Sequence, residues 1–318
     1  MSDAIKYFDN SGRDDVLSGG VKLIPITTAK GTFNVWTRRV GNNPTVKVLL
    51  LHGGPGGSSD LMSVFDSFFP AAGIEYYHYD QLGSFRSDQP DEPDLWEIDR
   101  FVNEVEQVRL ALGLNSDNFY LWGQSWGGVL AMEYALAHQH NLKALVISNM
   151  VSSFPAYNEY AETFKASMDP DILAELMAFE AAEDYENPRY TDLLIEHHYV
   201  YHVLRMPPEQ WPDAVNLSFE RLNPNVYIPM QGPSELGASG KLENWDRSAD
   251  LDKIRVPTLT MGATHDTMDP EHMKWMATEV QNGRYHQTNG GHAAQFDDAE
   301  VYFEGLIQFI KDVDAGRV

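Results

Sequence analysis

Short, almost unbroken apolar runs that stop at glycine-rich loops recur along this chain. Alternating V-K-L-I-P-I followed by F-N-V-W-T-R predicts two paired strands over Val21–Val40, turning at Gly31. Val46–Leu51 then runs straight into H-G-G-P-G-G, as a buried strand entering a loop does. Ile74–Tyr79, Phe119–Trp122, Leu142–Ser148, Val256–Met261 and Gly283–Gln287 read as further short strands. Between them the period changes. Phe101, Val102, Val105, Val108 and Leu112 fall at helical spacing over Asp99–Leu112, with Gly113 as a stop signal. V-L-A-M-E-Y-A-L-A after Gly128 and Val301–Val313 are likewise helical. Strand alternating with helix predicts an α/β fold: a mostly parallel central sheet with helices on both faces.

The alternation breaks between 151 and 250, where strand runs give way to acidic, aromatic-rich helical stretches. This segment carries 18 acidic against 6 basic residues, a net −12, half the chain's −24. The expected organisation is a core of 1–150 and 251–318 with a helical cap or lid of 151–250. The overall negative field disfavours nucleic acid as a partner and attracts cationic ligands. With no cysteine, disulfides, thiolate metal sites and cysteine nucleophiles are excluded. No apolar run reaches the ~20 residues of a membrane helix, so no membrane partner is expected. M-S-D-A-I-K-Y-F-D-N has no basic stretch leading into an apolar one, so a cytoplasmic protein is expected.

The chemistry-bearing string is Gly123-Gln124-Ser125-Trp126-Gly127, a G-x-S-x-G set between strand and helix. Such a turn lifts a serine hydroxyl above the sheet at a helix N-terminus, where developing negative charge is favoured. A serine needs a base, and the base an orienting acid, in the chain order Ser, Asp, His. His292, in the loop Gly290-Gly291-His292, fills the base position, and Asp266, in the loop after a strand, fills the acid position. Asp269 is the rival acid, but Pro270 behind it marks Asp269 as a helix N-cap. An oxyanion needs two donors. These are assigned to the N–H groups of Trp126 and of Gly54 in His52-Gly53-Gly54-Pro55-Gly56, with Gly53 beside the substrate. Asp80 and Gln81 are read as supports for that loop. His197, His198 and His202 lack an H-E-x-x-H frame and are read as solvated or packing histidines. Trp211, Tyr199, Tyr201, Phe179 and Phe219 read equally well as pocket lining and as core of the inserted segment.

Taken together, H-G-G-P-G, Y-D-Q-L-G-S-F-R-S at Tyr79–Ser87, G-Q-S-W-G-G, G-P-S-E at Gly232–Glu235, L-E-N-W-D-R at Leu242–Arg247, H-D-T-M-D-P and G-G-H resemble the proline iminopeptidase family of α/β-hydrolases. Its relatives include L-amino acid amidases and tricorn-interacting aminopeptidases. The resemblance spans residues 20–313. It implies the α/β-hydrolase fold and a serine exopeptidase or amidase without cofactor or metal. The substrate would be a small peptide or amino acid amide with a free amino terminus, giving up proline or another small apolar residue. It also implies that Glu235 holds the substrate's ammonium group. Two positions depart from the family. Thr267 stands where some members carry a second acid after the triad aspartate, which argues against strict proline preference. Phe85 replaces a common glycine and is expected to narrow the pocket. A carboxylesterase or lactonase with the same triad but no amino-group recognition is the alternative. A non-enzymatic scaffold would lack a complete triad, and Ser125 excludes mechanisms that need an aspartate nucleophile.

Overall fold

The computed structural model describes residues 6–318; residues 1–5 of the stretch read for a leader lie outside it. Among the described residues eight strands form one sheet: β1 (Val21–Thr28), β2 (Gly31–Val40), β3 (Lys47–Leu51), β4 (Glu75–Asp80), β5 (Phe119–Gln124), β6 (Ala144–Ser148), β7 (Thr258–Ala263) and β8 (Gly283–Thr288). Their order is β1-β2-β4-β3-β5-β6-β7-β8. β1 and β2 pair antiparallel, β2 pairs antiparallel with β4, and every later pairing is parallel.

The apolar runs are continuous because both faces of the parallel strands are covered. Alternate residues go to opposite sides. Leu49 and Leu51, Phe119 and Leu121, and Leu145 and Ile147 join one core, whereas Val48 and Leu50, Tyr120 and Trp122, and Ala144 and Val146 join the other. Helices α1 (Ile98–Leu112) and α2 (Trp126–His138) cover the first face. Gly113 ends α1 in the left-handed conformation (φ 66°), as a C-cap glycine does.

Among the described residues, no sheet strand lies between 151 and 250. The helices there are α3 (Phe154–Ser167), α4 (Pro170–Ala181), α5 (Pro188–Leu194), α6 (Asp213–Glu220) and α7 (Pro224–Met230), and a π turn, Ile195–Tyr199, extends α5. This segment has an apolar cluster of its own, built on Leu176, Tyr190, Leu193, Leu204, Trp211 and Val215. Its entry and exit meet: Phe154 N–H donates to Trp245 O, and Ser153 bridges Asp246. The exit is pinned to α2, where Glu133 accepts from Trp245 Nε1 at 2.5 Å and Arg247 Nε at 2.7 Å. Helix α8 (Pro270–Glu279) then packs on the first face, with Asp269 capping it through Glu271 N–H, and α9 (Ala299–Asp314) covers the second. No helix among the described residues is long and apolar enough to cross a membrane.

The turn from β5 into α2 is strained. Ser125 has φ 56° and ψ −127°, a conformation a side chain rarely adopts. The flanking glycines make it possible. A Cβ at Gly127 would collide with Leu51 O and lie 2.9 Å from His52 O, and one at Gly123 would strike Gly127 O. The tight crossing of β5, α2 and the end of β3 thus depends on bare backbone. If the Ser125 backbone stores ~1–3 kcal/mol, S125G relieves it while S125A keeps it. After the entropy cost of glycine, ~0.5–1 kcal/mol, S125G is expected to exceed S125A in stability by about 1 kcal/mol in urea unfolding. An S125A protein more stable than S125G would contradict the strain.

Candidate active site

Three loops at the C-terminal ends of β5, β7 and β8 bring Ser125, Asp266 and His292 to one place. His292 Nδ1 lies 2.8 Å from Asp266 Oδ1, and both residues are buried. Asp266 has its lone pairs well used. Oδ1 also accepts from Met268 N–H at 3.1 Å, and Oδ2 accepts from Asn149 Nδ2 at 2.7 Å. An acceptor-only Asp266 makes Nδ1 the donor, so in the neutral ring Nε2 carries the free lone pair. That Nε2 is buried and without a hydrogen-bond partner. Burial opposes charge on His292, but the Asp266 carboxylate and its hydrogen bond, with Glu235 adding, outweigh it and raise the pKa above the ordinary 6.5.

Residues that sequence reasoning did not single out hold this arrangement. Asn149, at φ 50° just past β6, is oriented by Ser148 Oγ, which donates to its Oδ1 at 2.8 Å. Its place at the C-terminal end of a central strand was the available signal, since open α/β sheets build their sites there. The inserted segment supports the His292 loop through main chain: His292 N–H donates to His202 O at 2.8 Å and Ala293 N–H to Val203 O at 2.7 Å. Asp297 joins the same loop to that segment by accepting from Gly291 N–H and Arg205 N–H. Gln124 Nε2 donates to His292 O at 3.1 Å.

The expected oxyanion donors lie beside Ser125. Trp126 is the first residue of α2, so its N–H has no partner within the helix. Gly54, at φ 49°, donates its N–H to nothing among the described residues. Gln81 Oε1 accepts from Trp126 Nε1 at 2.9 Å, and Asp80 Oδ1 accepts from Ser59 N–H at 2.7 Å just past the glycine loop. His52 is kept neutral by burial; its Nε2 accepts from Gln81 N–H and its Nδ1 lies 3.0 Å from Gly53 O. A Cβ on Gly53 would come within 2.9 Å of Ser125 Cβ, so the loop passes directly over the serine.

Ser125, His292, Gly53, Gly54 and Glu235 line one cavity of about 610 Å³. Glu235 Oε1 accepts from Tyr227 OH at 2.7 Å, while Oε2 is buried with no partner. Tyr227 stays protonated, because burial first and then Glu235 push its pKa well up. The aromatic candidates divide. Tyr199 and Phe219 line the cavity; Trp211 stacks behind Phe219, Phe179 packs near Tyr190, and Tyr201 is exposed. Glu183, Asp184 and Glu186 add acidic lining. Phe85 corrects an expectation: it lies outside the cavity, 41% exposed, stacked on the Arg221 guanidinium at 4.2 Å. Arg221 is held there by Asp60 at 2.9 Å, giving the ring a cationic partner in place of a pocket. His198 and His202 pack with ring centroids 5.1 Å apart, and among the described residues no three His, Asp or Glu side chains are grouped to hold a metal ion.

The α/β-hydrolase fold family model matches residues 47–299. The chain is 53% identical over 295 residues to a proline iminopeptidase of Elizabethkingia meningoseptica, covering 92% of this chain and 98% of that one. It is 50% identical to a proline iminopeptidase of Flavobacterium johnsoniae, covering 93% and 100%. Among solved structures, VinJ superposes with a TM-score of 0.84 at 29% identity, covering 92% of this chain and 99% of that one. A proline iminopeptidase of Mycobacterium smegmatis superposes with a TM-score of 0.81 at 26% identity, covering 94% and 100%. With the strand order, the elbow at Ser125 and the loops that carry Asp266 and His292, these likenesses establish that the chain belongs to the proline iminopeptidase family of α/β-hydrolases.

Proposed function

We propose that the protein is a serine exopeptidase or amidase that releases an N-terminal proline, or another small apolar residue, from short peptides or amino acid amides. The observation that carries this reading is the shared cavity: the free Nε2 of His292 and the unpartnered Oε2 of Glu235 are buried around the same space as Ser125. A buried carboxylate oxygen with no donor is costly, and a substrate ammonium supplies the missing partner. The 151–250 segment acts as a lid. Its acidic lining draws in a cationic amino end, and closure over the cavity keeps long chains from threading through.

In this mechanism Ser125 Oγ attacks the carbonyl carbon of the first residue while His292 Nε2 takes the hydroxyl proton. Asp266 keeps the ring oriented and balances the charge it gains. The oxyanion accepts from the Gly54 and Trp126 N–H groups, each such donor being worth ~3 kcal/mol in the transition state. Collapse of the tetrahedral intermediate breaks the C–N bond, and His292 gives its proton to the leaving amine. Water then attacks the acyl-enzyme as His292 takes one of its protons; Ser125 leaves as the alcohol and the free amino acid departs. Gly53 flanks the bound residue.

Two measurements test the reading. A panel of aminoacyl 4-nitroanilides with N-acetylated counterparts and a simple ester is expected to show cleavage of free-amine prolyl or alanyl anilides and none of the acetylated ones. Comparable cleavage of the acetylated substrates, or ester turnover alone, would favour the carboxylesterase alternative. The pH profile tests the triad. His292 is a base only when neutral, and its pKa is raised, so activity is lost as pH falls and the acid limb of kcat/KM lies above pH 6.5. D266N is expected to move that limb to lower pH and to reduce kcat by about 10⁴-fold. A limb unmoved in D266N would contradict the assignment.

A further inference from the structure

The main chain of Glu235 is held more firmly than its side chain. Its carbonyl oxygen accepts from Tyr157 OH at 2.7 Å, Thr267 Oγ1 at 2.9 Å and His198 Nε2 at 3.2 Å. Those donors come from three places: α3 at the lid entry, the core loop that carries Asp266, and the π turn after α5. A carbonyl has two lone pairs, so three donors saturate it. The Thr267 hydroxyl spends its one proton on Glu235, and its oxygen lies 3.1 Å from His198 Nε2, whose N–H is shared between the two acceptors. Burial, and then His202, hold the His198 pKa down at about 3, so the ring brings no positive charge beside Glu235.

Thr267 directly follows Asp266 and is fully buried. Among the described residues outside 151–250, Thr267 alone hydrogen-bonds Glu235, so the residue that orients His292 and this anchor of Glu235 are chain neighbours. We infer that Thr267 is a positioning residue: with Tyr157 and His198 it sets where the Glu235 carboxylate stands relative to Ser125, and so how a free-amine substrate is registered for attack. The inference rests on the reading of Glu235 as the ammonium partner. Thr267 works by placement, where an acid at this position would work by charge. A hydroxyl donor can clamp a carbonyl; an ionised carboxylate cannot, because it only accepts. Registration matters because a small misplacement of the reacting carbonyl is costly.

Steady-state kinetics on prolyl 4-nitroanilide and on 4-nitrophenyl acetate, which has no amino group, test this with T267V, T267S, Y157F and E235Q. T267V is expected to raise KM for the anilide about fivefold, because a displaced Glu235 carboxylate loses about one hydrogen bond's worth of hold on the ammonium, with a smaller change in kcat. The amine-to-ester ratio of kcat/KM falls in step, and T267S, which restores the hydroxyl, recovers it. Y157F removes a donor to the same carbonyl from another element and is expected to shift KM in the same direction, so the test stands if T267V does not fold. Anilide and ester activities falling together in T267V and Y157F, or no recovery in T267S, would overturn the inference. E235Q separates the two claims. A wild-type amine-to-ester ratio in E235Q overturns the ammonium reading and this inference with it. A ratio lost in E235Q but kept in T267V and Y157F overturns this inference alone.

Discussion

A buried carboxylate is tolerable only when donors surround it, and meeting that requirement at Asp266 organises the rest of the site. Its oxygens draw together the His292 ring, the Asn149 amide from the end of β6 and the Met268 N–H of its own loop. Three successive strand ends are thereby tied to one side chain. The next residue, Thr267, extends the tie to the 151–250 segment by clamping the Glu235 carbonyl. From the other direction, the His202 and Val203 carbonyls of that segment hold the main chain of His292 and Ala293. The segment is thus part of the support for the base as well as part of the cavity lining.

The same economy governs charge. The 151–250 segment carries net −12, and Glu183, Asp184, Glu186 and Glu235 face the cavity from it. Of these four, Glu235 alone joins a buried carboxylate oxygen without a partner to an anchored main chain. A field of many acids steers a cation inward, whereas one fixed carboxylate decides where it stops. The neutral state of His198 and His52, both kept uncharged by burial, leaves that contrast undisturbed.

Much of this was legible in the sequence because it depended on local constraints. Apolar runs such as Lys47–Leu51 had to be central strands, since both faces of each are buried. The G-x-S-x-G string read as a strand-to-helix turn, and the structure has it so because only glycines tolerate the crossing at Gly123 and Gly127. Asp269 could be set aside as an N-cap from Pro270 alone, and the structure has it capping α8. What escaped was non-local. Asn149 acts through Asp266, 117 residues away, and that residue type announces no such role. Phe85 was misread because its fate was decided by Arg221, which Asp60 holds against it from the 151–250 segment. The aromatics of the 151–250 segment divided between cavity and core according to the neighbours each ring meets, which periodicity does not encode.

If Glu235 receives the ammonium, one rigid frame fixes the distance from that group to the atom that Ser125 attacks. A crystal structure of the protein with the free-amine boronic acid analogue of proline measures this directly. Boron is expected to be bonded to Ser125 Oγ, with a boronate oxygen accepting from the Gly54 and Trp126 N–H groups and the ammonium donating to Glu235 Oε2. An adduct on Ser125 whose amine turns away from Glu235, or an inhibitor bound elsewhere in the cavity, would contradict it.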